Sequence, residues 1–598
     1  MIGFPGLKPI AARGKTLRAF GGYDHNLRLP EGAFYEMENM TSDHFPLLAT
    51  RPKRSKVTGF QSGSCIGMYY VPEVGLFYAL ADTREGKPAN ALWLLEETGE
   101  PRELFTGLSS EPKQFAMMGK HLIIVPDMIW VRMGELAWGT MEESWVINTD
   151  ALNVELCLPD GTTFSKGYTG TVPPENPEPL AIWLDSSTYP KTVRQYSAPQ
   201  QTWVTVSAVC FKISGRGLGG HRFQENDGIH ISGLGMNADG VFNSGAAMLN
   251  GCYGIRSAGQ DYLIFNGVAD VTYMQDASAY PVTLQRKVPK LDFLVEAGNR
   301  LWGCARDVNE IYATRLGDHK NWNSFMGIST DSWVGSVGTP GEFTGAVNMD
   351  GYPVFYKEGY AHKVWPGANG AHRITSMTCS GVERGSENSI AQLDGIVFYK
   401  SPRGICADSG SGGIPIDACL GDQTYHGAVG AVYRRKYYVC MQDAQNKPHM
   451  FVYDTQRKLW HREAIAPVSH MAAGGDCLYA DPQGGIWDLI GSRGQPEETV
   501  FWSVQTGDLG LELPEQKYVS RLTLRLSLDP GAKLEVFAMY DREPVWISLG
   551  TVYGTDLRSF SLPVRPRRCD QLRLKLQGQG QCRVYSLTKT LEKGSELV

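Results

Sequence analysis

The sequence is poor in charge and lacks long apolar segments. Charged residues make up 20% of its 598 residues, and the net charge is −6, which argues against a protein that grips phosphate over a broad surface. No apolar run approaches the roughly 20 residues of a membrane span. The first residues, Met1 to Lys8, contain no signal-peptide core. These absences predict a soluble protein that is made in a cytosol.

Cysteine pairs with metal-ligand spacing are also missing. The 12 cysteines are scattered singly between Cys65 and Cys582, and no Cys-x-x-Cys occurs. Isolated cysteines in a long chain are typical of small buried hydrophobes in strands. The sequence therefore predicts no zinc or other metal site.

Signatures of catalysis and of cofactor binding are equally scarce. Serine-hydrolase, kinase and metalloprotease motifs are absent. Gly215 to Gly220 formally match Gly-x-Gly-x-x-Gly, but the residues that follow do not predict the helix whose N-terminus would bind a phosphate. Propeller glycosidases place acids around a central axis, yet the acids here, such as Asp454, recur at no fixed strand-end position. The sequence thus predicts no catalytic residue, no cofactor and no enzymatic activity.

Turn residues and aromatics are plentiful instead. The chain has 68 Gly, 33 Pro and 11% aromatic residues, and helical periodicity is hard to find, so the composition is that of a turn-rich all-β protein. The segment from Arg300 to Pro366 shows one complete unit and the start of the next. It has short apolar strands, a polar loop with Trp322, and then the strand pattern again around Tyr352 and Trp365.

The unit recurs at a spacing typical of four-stranded propeller blades. Turns between the two inner strands are predicted near seven markers. Their spacing is roughly 40 to 52 residues in the second half of the chain and about 44 in the first; the markers are Gly75, Gly119, Asn299, Gly351, Gly395, Arg435 and Gly475. The gap between Gly119 and Asn299 is about 180 residues, too long for one blade. An additional domain is therefore inserted there.

Two further segments differ from the repeat. The insertion contains a Pro-rich loop at 172–179 and strands around Trp183 and Trp203, which predict one or two small β modules. Near the C-terminus, Leu522 to Leu528 and Leu572 to Leu576 alternate strictly between apolar and polar residues. Each such strand has one buried and one solvated face, so we expect a small antiparallel sandwich.

The sequence as a whole predicts an all-β protein. Its centre is a β-propeller of about seven blades, with six as the alternative, and it carries an inserted β domain and a C-terminal β-sandwich. The predicted segments are an N-terminal docking arm at 1–60, the first propeller blades at 61–145, the inserted β domain at 146–287, the remaining blades at 288–510 and the β-sandwich at 511–598.

The N-terminal arm holds the candidate contact residues. It has little periodic apolar pattern, yet it contains several large apolar side chains that would be costly to leave in water. We expect these side chains to pack on the flank of the propeller or on the next subunit of a ring. The basic run at 51–56 is a solvated loop in one interpretation. In the other it is functional, either as a nucleic-acid patch, although no aromatic residues accompany it for stacking bases, or, as we favour, as a contact with an acidic neighbouring subunit. The candidate subunit contacts are Phe34, Tyr35, Phe45, Arg51, Lys53 and Arg54.

The arm and the middle of the chain resemble a known family. The arm passes through Gly21-Gly22-Tyr23-Asp24, then Glu38-Asn39-Met40, then a Leu-rich step into Arg51-Pro52. In this it resembles the opening of tailed-bacteriophage β-propeller proteins of the tail hub, nozzle and DNA-stabilisation type. Arg300-Leu301-Trp302-Gly303, followed by Trp322-Asn323, is similar to the same proteins. The resemblance covers roughly two thirds of the chain, and none of its motifs encodes chemistry.

This resemblance implies a structural function. The chain would be a subunit of a ring in a bacteriophage tail or neck, and this ring would extend or close the DNA channel below the portal. The protein would be made in the bacterial host cytoplasm and incorporated in the virion. Its partners would be copies of itself, tail proteins on the portal or adaptor side and on the distal or fibre side, and genomic DNA that passes without sequence-specific binding. The alternative is a propeller protein that binds or cleaves carbohydrate at the host surface, and host adsorption through the insertion is a third interpretation.

Overall fold

The computed structural model is built almost entirely of strands. It describes residues 13–593 except 61–62, 82–89, 98, 164–166, 189–190, 207–209, 219–221, 270–271, 368, 483, 514–515, 542 and 566. Helix in this part of the chain is confined to α1 (Ser244–Ala247) and two 3-10 turns, Glu387–Ser389 and Ala418–Leu420. No helix among the described residues has the length and apolar character needed to span a membrane. The chain is all-β, as predicted.

The described residues of the first half of the chain form strands β1 to β25. The N-terminal strands are β1 (Arg13–Leu17), β2 (Phe34–Glu38), β3 (Met40–Thr41), β4 (Leu48–Thr50) and β5 (Ser55–Gly59). The first two blades are β6 (Ser64–Val71), β7 (Gly75–Ala81), β8 (Asn90–Glu96), β9 (Arg102–Leu108), β10 (Gln114–Met118), β11 (His121–Val125), β12 (Ile129–Arg132) and β13 (Ala137–Thr140). The inserted domain has β14 (Glu143–Ile147), β15 (Ala151–Cys157), β16 (Gly167–Gly170), β17 (Ile182–Asp185), β18 (Thr192–Ser197), β19 (Thr202–Thr205), β20 (Cys210–Ser214), β21 (Gly228–Ser232), β22 (Gly251–Ala258), β23 (Tyr262–Asn266), β24 (Tyr273–Asp276) and β25 (Val282–Arg286).

The second half contains the remaining blades and the C-terminal domain. The blade strands are β26 (Phe293–Glu296), β27 (Leu301–Cys304), β28 (Glu310–Ala313), β29 (Trp333–Ser336), β30 (Phe343–Met349), β31 (Tyr352–Lys357), β32 (Tyr360–Trp365), β33 (Arg373–Thr378), β34 (Ala391–Leu393), β35 (Ile396–Ser401), β36 (Gly404–Asp408), β37 (Ile414–Pro415), β38 (His426–Tyr433), β39 (Lys436–Gln442), β40 (Pro448–Asp454), β41 (Leu459–Glu463), β42 (Met471–Gly474), β43 (Cys477–Ala480), β44 (Gly485–Asp488) and β45 (Gln495–Pro496). The C-terminal strands are β46 (Phe501–Thr506), β47 (Lys517–Tyr540), β48 (Ile547–Leu562), β49 (Arg568–Cys569), β50 (Leu572–Gln579) and β51 (Cys582–Lys593).

The chain divides into two compact units. One comprises Met1–Lys113, Tyr356–Ala361 and Met377–Val598, and the other comprises Gln114–Phe355 and His362–Ser376. In the first unit the innermost strands β34, β38, β42 and β6 lie side by side in that order. In the second unit β10, β26 and β30 do the same. Both units therefore contain sheets stacked as propeller blades are.

The described residues form seven sheets of the blade type, in agreement with the expected seven blades. Each of the seven predicted marker turns lies between the first and second strand of its sheet. These turns use left-handed backbone, as at Asn299 with φ of 58° and at Asp350 and Gly351 with φ of 52° and 85°. Such angles suit the tight turns of two-stranded hairpins, which Asn, Asp and Gly adopt at low cost. The turn residues thus fix the repeat.

One of the seven sheets combines distant parts of the sequence. Strands β42, β43 and β44 are extended by β5, which pairs Gly59 with Gly485 and Lys56 with Trp487. The sequence assigned 1–60 to an arm, but β5 completes a blade. The reason is that a β-strand edge offers unpaired backbone groups, and a short strand from anywhere in the chain satisfies them.

The rest of the predicted arm is part of the C-terminal domain. Strand β2 pairs with β46, and β1 and β4 pair with β51, in a ten-stranded sheet. Phe34, Met37, Met40 and Leu48 lie in one buried cluster with the leucines of that domain. The sequence predicts a separate docking arm, but in the structure these apolar side chains are buried within their own chain. Residues 1–12 lie outside the described part.

The C-terminal sandwich follows its sequence pattern. Leu522, Leu524, Leu526 and Leu528 are all at most 3% exposed, and the residues between them are not buried. Strand β47 is long enough to pair with β51 along its first half and with β50 along its second half. Strict alternation therefore places one leucine face in the core, as the sequence predicts.

The inserted domain consists of two sheets within the second unit. Its larger sheet has the order β14-β25-β21-β22-β23-β20-β15-β24, and its smaller sheet has the order β16-β17-β18-β19. The insertion begins and ends on neighbouring strands, since Glu143 of β14 lies opposite Arg286 of β25. The smaller sheet, here called the module, is inserted in the same way between Cys157 and Cys210, which lie opposite each other on β15 and β20. Of the formal glycine motif, Gly215 and Gly217 follow β20 in a turn, while Gly219 and Gly220 lie outside the described residues.

Candidate functional site

The module sheet is anchored by one of its two faces. Strands β17, β18 and β19 are antiparallel, and β16 runs parallel to β17 at the edge. Ile182, Leu184 and Val193 point to one face and form a small buried core with Leu156 of the larger sheet. Successive side chains of a strand point to opposite faces, so the other face is left for different residues.

Aromatic side chains occupy that other face. In the register of the sheet Tyr168 lies opposite Trp183, Trp183 lies opposite Arg194, and Tyr196 lies opposite Trp203. Residues directly opposite each other share a face, as do residues two apart on a strand. Tyr168, Trp183, Arg194, Tyr196 and Trp203 therefore form a single surface, here called the aromatic face.

The rings of the aromatic face pack against one another. The ring centroids of Trp183 and Trp203 are 5.6 Å apart at an interplanar angle of 70°, and those of Tyr196 and Trp203 are 5.4 Å apart at 57°. The indole nitrogen of Trp183 donates a hydrogen bond of 2.8 Å to the carbonyl of Gly170. Edge-to-face contacts and this bond hold the rings in fixed orientations.

A charged pair lies beside the rings. The guanidinium carbon of Arg194 is 5.5 Å from the ring centroid of Trp183, and its Nε donates to Asp185 Oδ2 over 3.0 Å. Asp185 also accepts hydrogen bonds from the backbone and hydroxyl of Ser187. The bonds from Ser187, followed by the one from Arg194, hold the pKa of Asp185 below its usual range. The carboxylate therefore stays ionised and keeps Arg194 in place over the ring.

Access to the aromatic face is uneven. Tyr168 is 49% exposed, whereas Trp183 is only 6% exposed beneath its neighbours. Trp203 and Tyr196 are partly exposed. Trp183 thus forms a rigid base, and the other three rings offer surface to solvent.

A groove lies at the end of strands β18 and β19. It has a volume of about 940 Å³ and is lined on one side by Leu158, Pro159 and Asp160. Further lining residues are Pro179, Leu180, Tyr196, Pro199 and Val204. Val204 pairs with Gln195 and lies on the face opposite the rings, so the groove follows the end of the sheet rather than the aromatic face. Ligand pockets of about 300–1,000 Å³ with mostly apolar walls and a few polar groups are typical of small-molecule sites. The arrangement is suited to stacking and hydrogen bonding with a flat, partly apolar ligand.

The aromatic residues predicted as subunit contacts are engaged elsewhere. Phe34 is 2% exposed within the C-terminal core. Tyr35 is half-buried, stacks on His25 at 4.3 Å and lies under the guanidinium of Arg573. Phe45 is half-buried with the guanidinium of Arg457 5.0 Å from its ring. These rings are at least partly covered by contacts within the chain.

The basic segment, Arg51, Lys53 and Arg54, is mostly internal. Arg54 donates to Glu463 Oε2 over 2.6 Å, and Arg51 donates to Glu497 Oε1 over 2.5 Å. Both arginines are buried. Burial alone would raise the pKa of Glu497, but its hydrogen bond and ion pair with Arg51 lower it.

Lys53 is the exposed member of the basic segment, and its ammonium donates to the carbonyl of Glu498 over 2.7 Å. The structure brings Arg51 and Arg54 together around acids from residues 463 and 497 of the same chain. The two arginines therefore pair with acids of their own chain. Because both side chains are buried, neither is accessible to a second subunit.

Sequence reasoning missed the aromatic face because its signal is non-local. Trp183 and Trp203 were recognised as strand residues, but an aromatic residue in a strand is more often part of a core. Which strands pair, and which face is covered, decides whether such a ring is buried. The one local sign was that β18 and β19 each carry an aromatic residue among polar ones.

Comparison with known proteins gives similarity of fold only. No family model matches the chain, and no curated protein matches it. Among solved structures, it is similar to PorZ, a surface component of the type-IX secretion system of Porphyromonas gingivalis, at 10% identity, over 88% of this chain and 82% of that one, with a TM-score of 0.25. It is also similar to an exo-β-1,3-galactanase from Phanerochaete chrysosporium, at 9% identity over 50% and 94% of the two chains, with a TM-score of 0.20. A glycoside hydrolase matches at 9% identity over 89% and 99% of the chains, with a TM-score of 0.18.

Two expectations from the sequence are corrected by these matches. The chain was expected to be a structural subunit of a bacteriophage tail or neck ring, but these three structures are described as a bacterial surface component, an exo-β-1,3-galactanase and a glycoside hydrolase. It was also expected not to be an enzyme, whereas two of the three are enzymes. Both expectations are therefore withdrawn.

Proposed function

We propose that the protein binds carbohydrate through the aromatic face of the module. The observation that carries this proposal is the set of fixed, partly exposed rings of Tyr168, Tyr196 and Trp203 on one side of a small sheet. This sheet already has a buried core on its opposite side. Its aromatic face is therefore not the face that attaches the module to the larger sheet.

The chemistry of the surface favours a sugar. A pyranose ring has an apolar face of C–H groups and a rim of hydroxyls, and aromatic side chains combine an apolar body with a polar edge. Arg194 supplies donors, and the hydroxyl groups of Tyr168 and Tyr196 supply donors and acceptors. Rigid rings lose little entropy on binding, which favours affinity.

The extent of the aromatic face supports an oligosaccharide rather than a single sugar. Tyr168 and Trp203 lie on β16 and β19, the two edge strands of the four-stranded module sheet, so with about 4.8 Å between strands their backbones are roughly 14 Å apart. A chain of a few sugar units would stack on both rings. Binding of this kind suits a role at a glycan-bearing surface.

The test measures binding of β-linked galacto- and gluco-oligosaccharides to the full chain by isothermal titration calorimetry. Trp203→Ala and Tyr168→Ala should each weaken binding at least about tenfold, because losing an aromatic anchor costs about 1.4 kcal/mol or more. The matched control is Trp365→Ala, which removes a tryptophan that is 41% exposed on strand β32 of a propeller sheet; its affinity should stay unchanged.

Circular dichroism of the variants verifies that they are folded, and the release of reducing ends from the same oligosaccharides is assayed in parallel. Binding that is equal in wild type and Trp203→Ala, or a wild-type chain that binds no member of the panel, would overturn the proposal.

A further inference from the structure

A cysteine, a histidine and an aspartate meet in the interior of the first unit. Cys65 lies on β6, His470 immediately precedes β42, and Asp481 immediately follows β43. Each of these side chains offers one ligand atom, and the three atoms lie within 4.8 Å of one another. They are 6%, 9% and 7% exposed. Of the described residues, no other set of His, Cys, Asp and Glu side chains is grouped in this way.

The local structure explains why these residues meet. In the β42–β43 hairpin Met471 lies opposite Ala480, so the next residues outward on either strand, His470 and Asp481, lie across from each other. Strand β6, which carries Cys65, is the inner strand of the adjacent sheet and packs against β42. The cluster therefore lies at the seam between two neighbouring sheets.

The histidine in this cluster lacks the partners that a buried imidazole normally has. Neither Nδ1 nor Nε2 of His470 has a hydrogen-bond partner, although both atoms are buried. Its Nδ1 is 3.6 Å from Asp481 Oδ2, beyond hydrogen-bonding distance. Buried polar atoms are almost always hydrogen-bonded, so two unpartnered nitrogens on one buried ring indicate that the cluster binds a ligand.

The aspartate is held in position, and the surroundings are apolar. Asp481 Oδ1 accepts hydrogen bonds from the backbone of Ser469 and His470 over 2.7 and 2.9 Å, which leaves Oδ2 directed at the histidine. Around the cluster lie the apolar side chains of the two sheets, including Tyr78, Leu76 and Ile486. A carboxylate that is fixed by backbone hydrogen bonds is a common feature of metal sites.

We propose that Cys65, His470 and Asp481 bind a zinc ion. A tetrahedral zinc site with sulfur, nitrogen and oxygen ligands separates its ligand atoms by roughly 3.3–3.8 Å, and the observed limit of 4.8 Å leaves only a small closure to that geometry. A thiolate with an imidazole favours zinc over the hard cations magnesium and calcium. The ion would bond to one orphaned nitrogen of His470 and would join two adjacent sheets.

This site is independent of the proposed carbohydrate binding. The sequence predicts no metal site, because Cys65 lies about 400 residues from the other two ligands and no motif spacing connects them. We expect zinc to affect the stability of the fold, because an ion that binds only the folded state shifts the unfolding equilibrium.

The test measures the zinc content of the full chain by mass spectrometry after expression in zinc-containing medium. Wild type should retain about one equivalent, as expected of one site with three protein ligands and a fourth position for water, whereas Cys65→Ser and His470→Ala should lose it. The matched controls are Cys440→Ala and His461→Ala, which remove a buried cysteine and a buried histidine of the same unit; both should retain the ion. Adding zinc chloride to metal-free wild type should raise Tm by several degrees.

A cobalt titration of metal-free wild type keeps the proposal testable if a variant fails to fold. Cobalt bound to a thiolate gives a charge-transfer absorption band that cobalt bound to oxygen and nitrogen alone does not give. The band should saturate at about one equivalent. Absence of the band in wild type, or equal zinc content in wild type and Cys65→Ser, would overturn the proposal.

Discussion

The basic segment and the aromatic face place their side chains in opposite environments. Arg51 and Arg54 are charged and buried, with acids of their own chain as partners, whereas Tyr168 is apolar over most of its surface and half exposed. A buried charge needs a partner because its removal from water is costly. An exposed ring on an otherwise complete module has no such partner. The difference shows that burial against the rest of the chain commits a side chain to the fold, whereas exposure leaves it available to a ligand.

The comparison is tested most strongly by removing the module. Replacing 159–208 with a short Gly-Ser linker should abolish carbohydrate binding. The rest of the chain should stay folded, because the flanking residues Cys157 and Cys210 are already neighbours on paired strands. Calorimetry with the same oligosaccharides and circular dichroism measure the two outcomes. Full binding by the shortened chain would place the site outside the module.

A second test removes an acid that the basic segment needs. Glu463→Ala should lower the free energy of unfolding by about 3–5 kcal/mol, because it leaves Arg54 buried without its ion-pair partner. Denaturant titration measures the change. Carbohydrate affinity should not change, since Glu463 lies in the other compact unit.

Lys53→Ala is the matched control for that test. Lys53 is exposed and its contact is with a backbone carbonyl, so the expected loss is below about 0.5 kcal/mol. A large loss for Lys53→Ala together with a negligible loss for Glu463→Ala would contradict the assignment of the two arginines to the fold.

Acid provides the smallest and most selective test. The folded-state pKa of Glu497 lies below its ordinary value of 4.5, so its ion pair with Arg51 stabilises the fold above about pH 4.5 and this stabilisation is lost as the pH falls. Glu497→Gln should therefore show a weaker dependence of stability on pH than wild type in this acidic range, as followed by thermal unfolding.

Carbohydrate binding should respond differently to acid. Tyrosine, tryptophan and arginine do not titrate between about pH 5 and 8, and Asp185 stays ionised because its pKa is lowered. Affinity should therefore be constant over that range. A decline in affinity centred between pH 5 and 8 would indicate that a titrating group outside the aromatic face takes part.

The sequence predicts the local features of the fold well. The Asn, Asp and Gly turns mark the blades in the sequence, because left-handed backbone strongly favours these residues. Asn299 and Gly351 are examples. The leucines of β47 define a buried face because alternation has a fixed geometric meaning. In both cases the information lies within a few neighbouring residues.

The features that the sequence did not predict depend on distant pairing. The partner of β5 is β44, and the partners of Arg54 and Cys65 lie about 400 residues away. The aromatic face requires knowledge of which side of the module rests on Leu156. Neither composition nor spacing contains that information, because many strands of similar character could pair in the same way.

The strand β5 also sets the order of events during synthesis. Lys56 leaves the ribosome long before Trp487, its partner in the sheet. At about 5–20 residues per second, the delay between the two is roughly 20–90 s. During that interval β5 has no edge to join, and the blade that it completes is the last to form. Translation speed over the second half of the gene should therefore affect the yield of folded protein. A chaperone that covers the unpaired strand β5 should affect it in the same way.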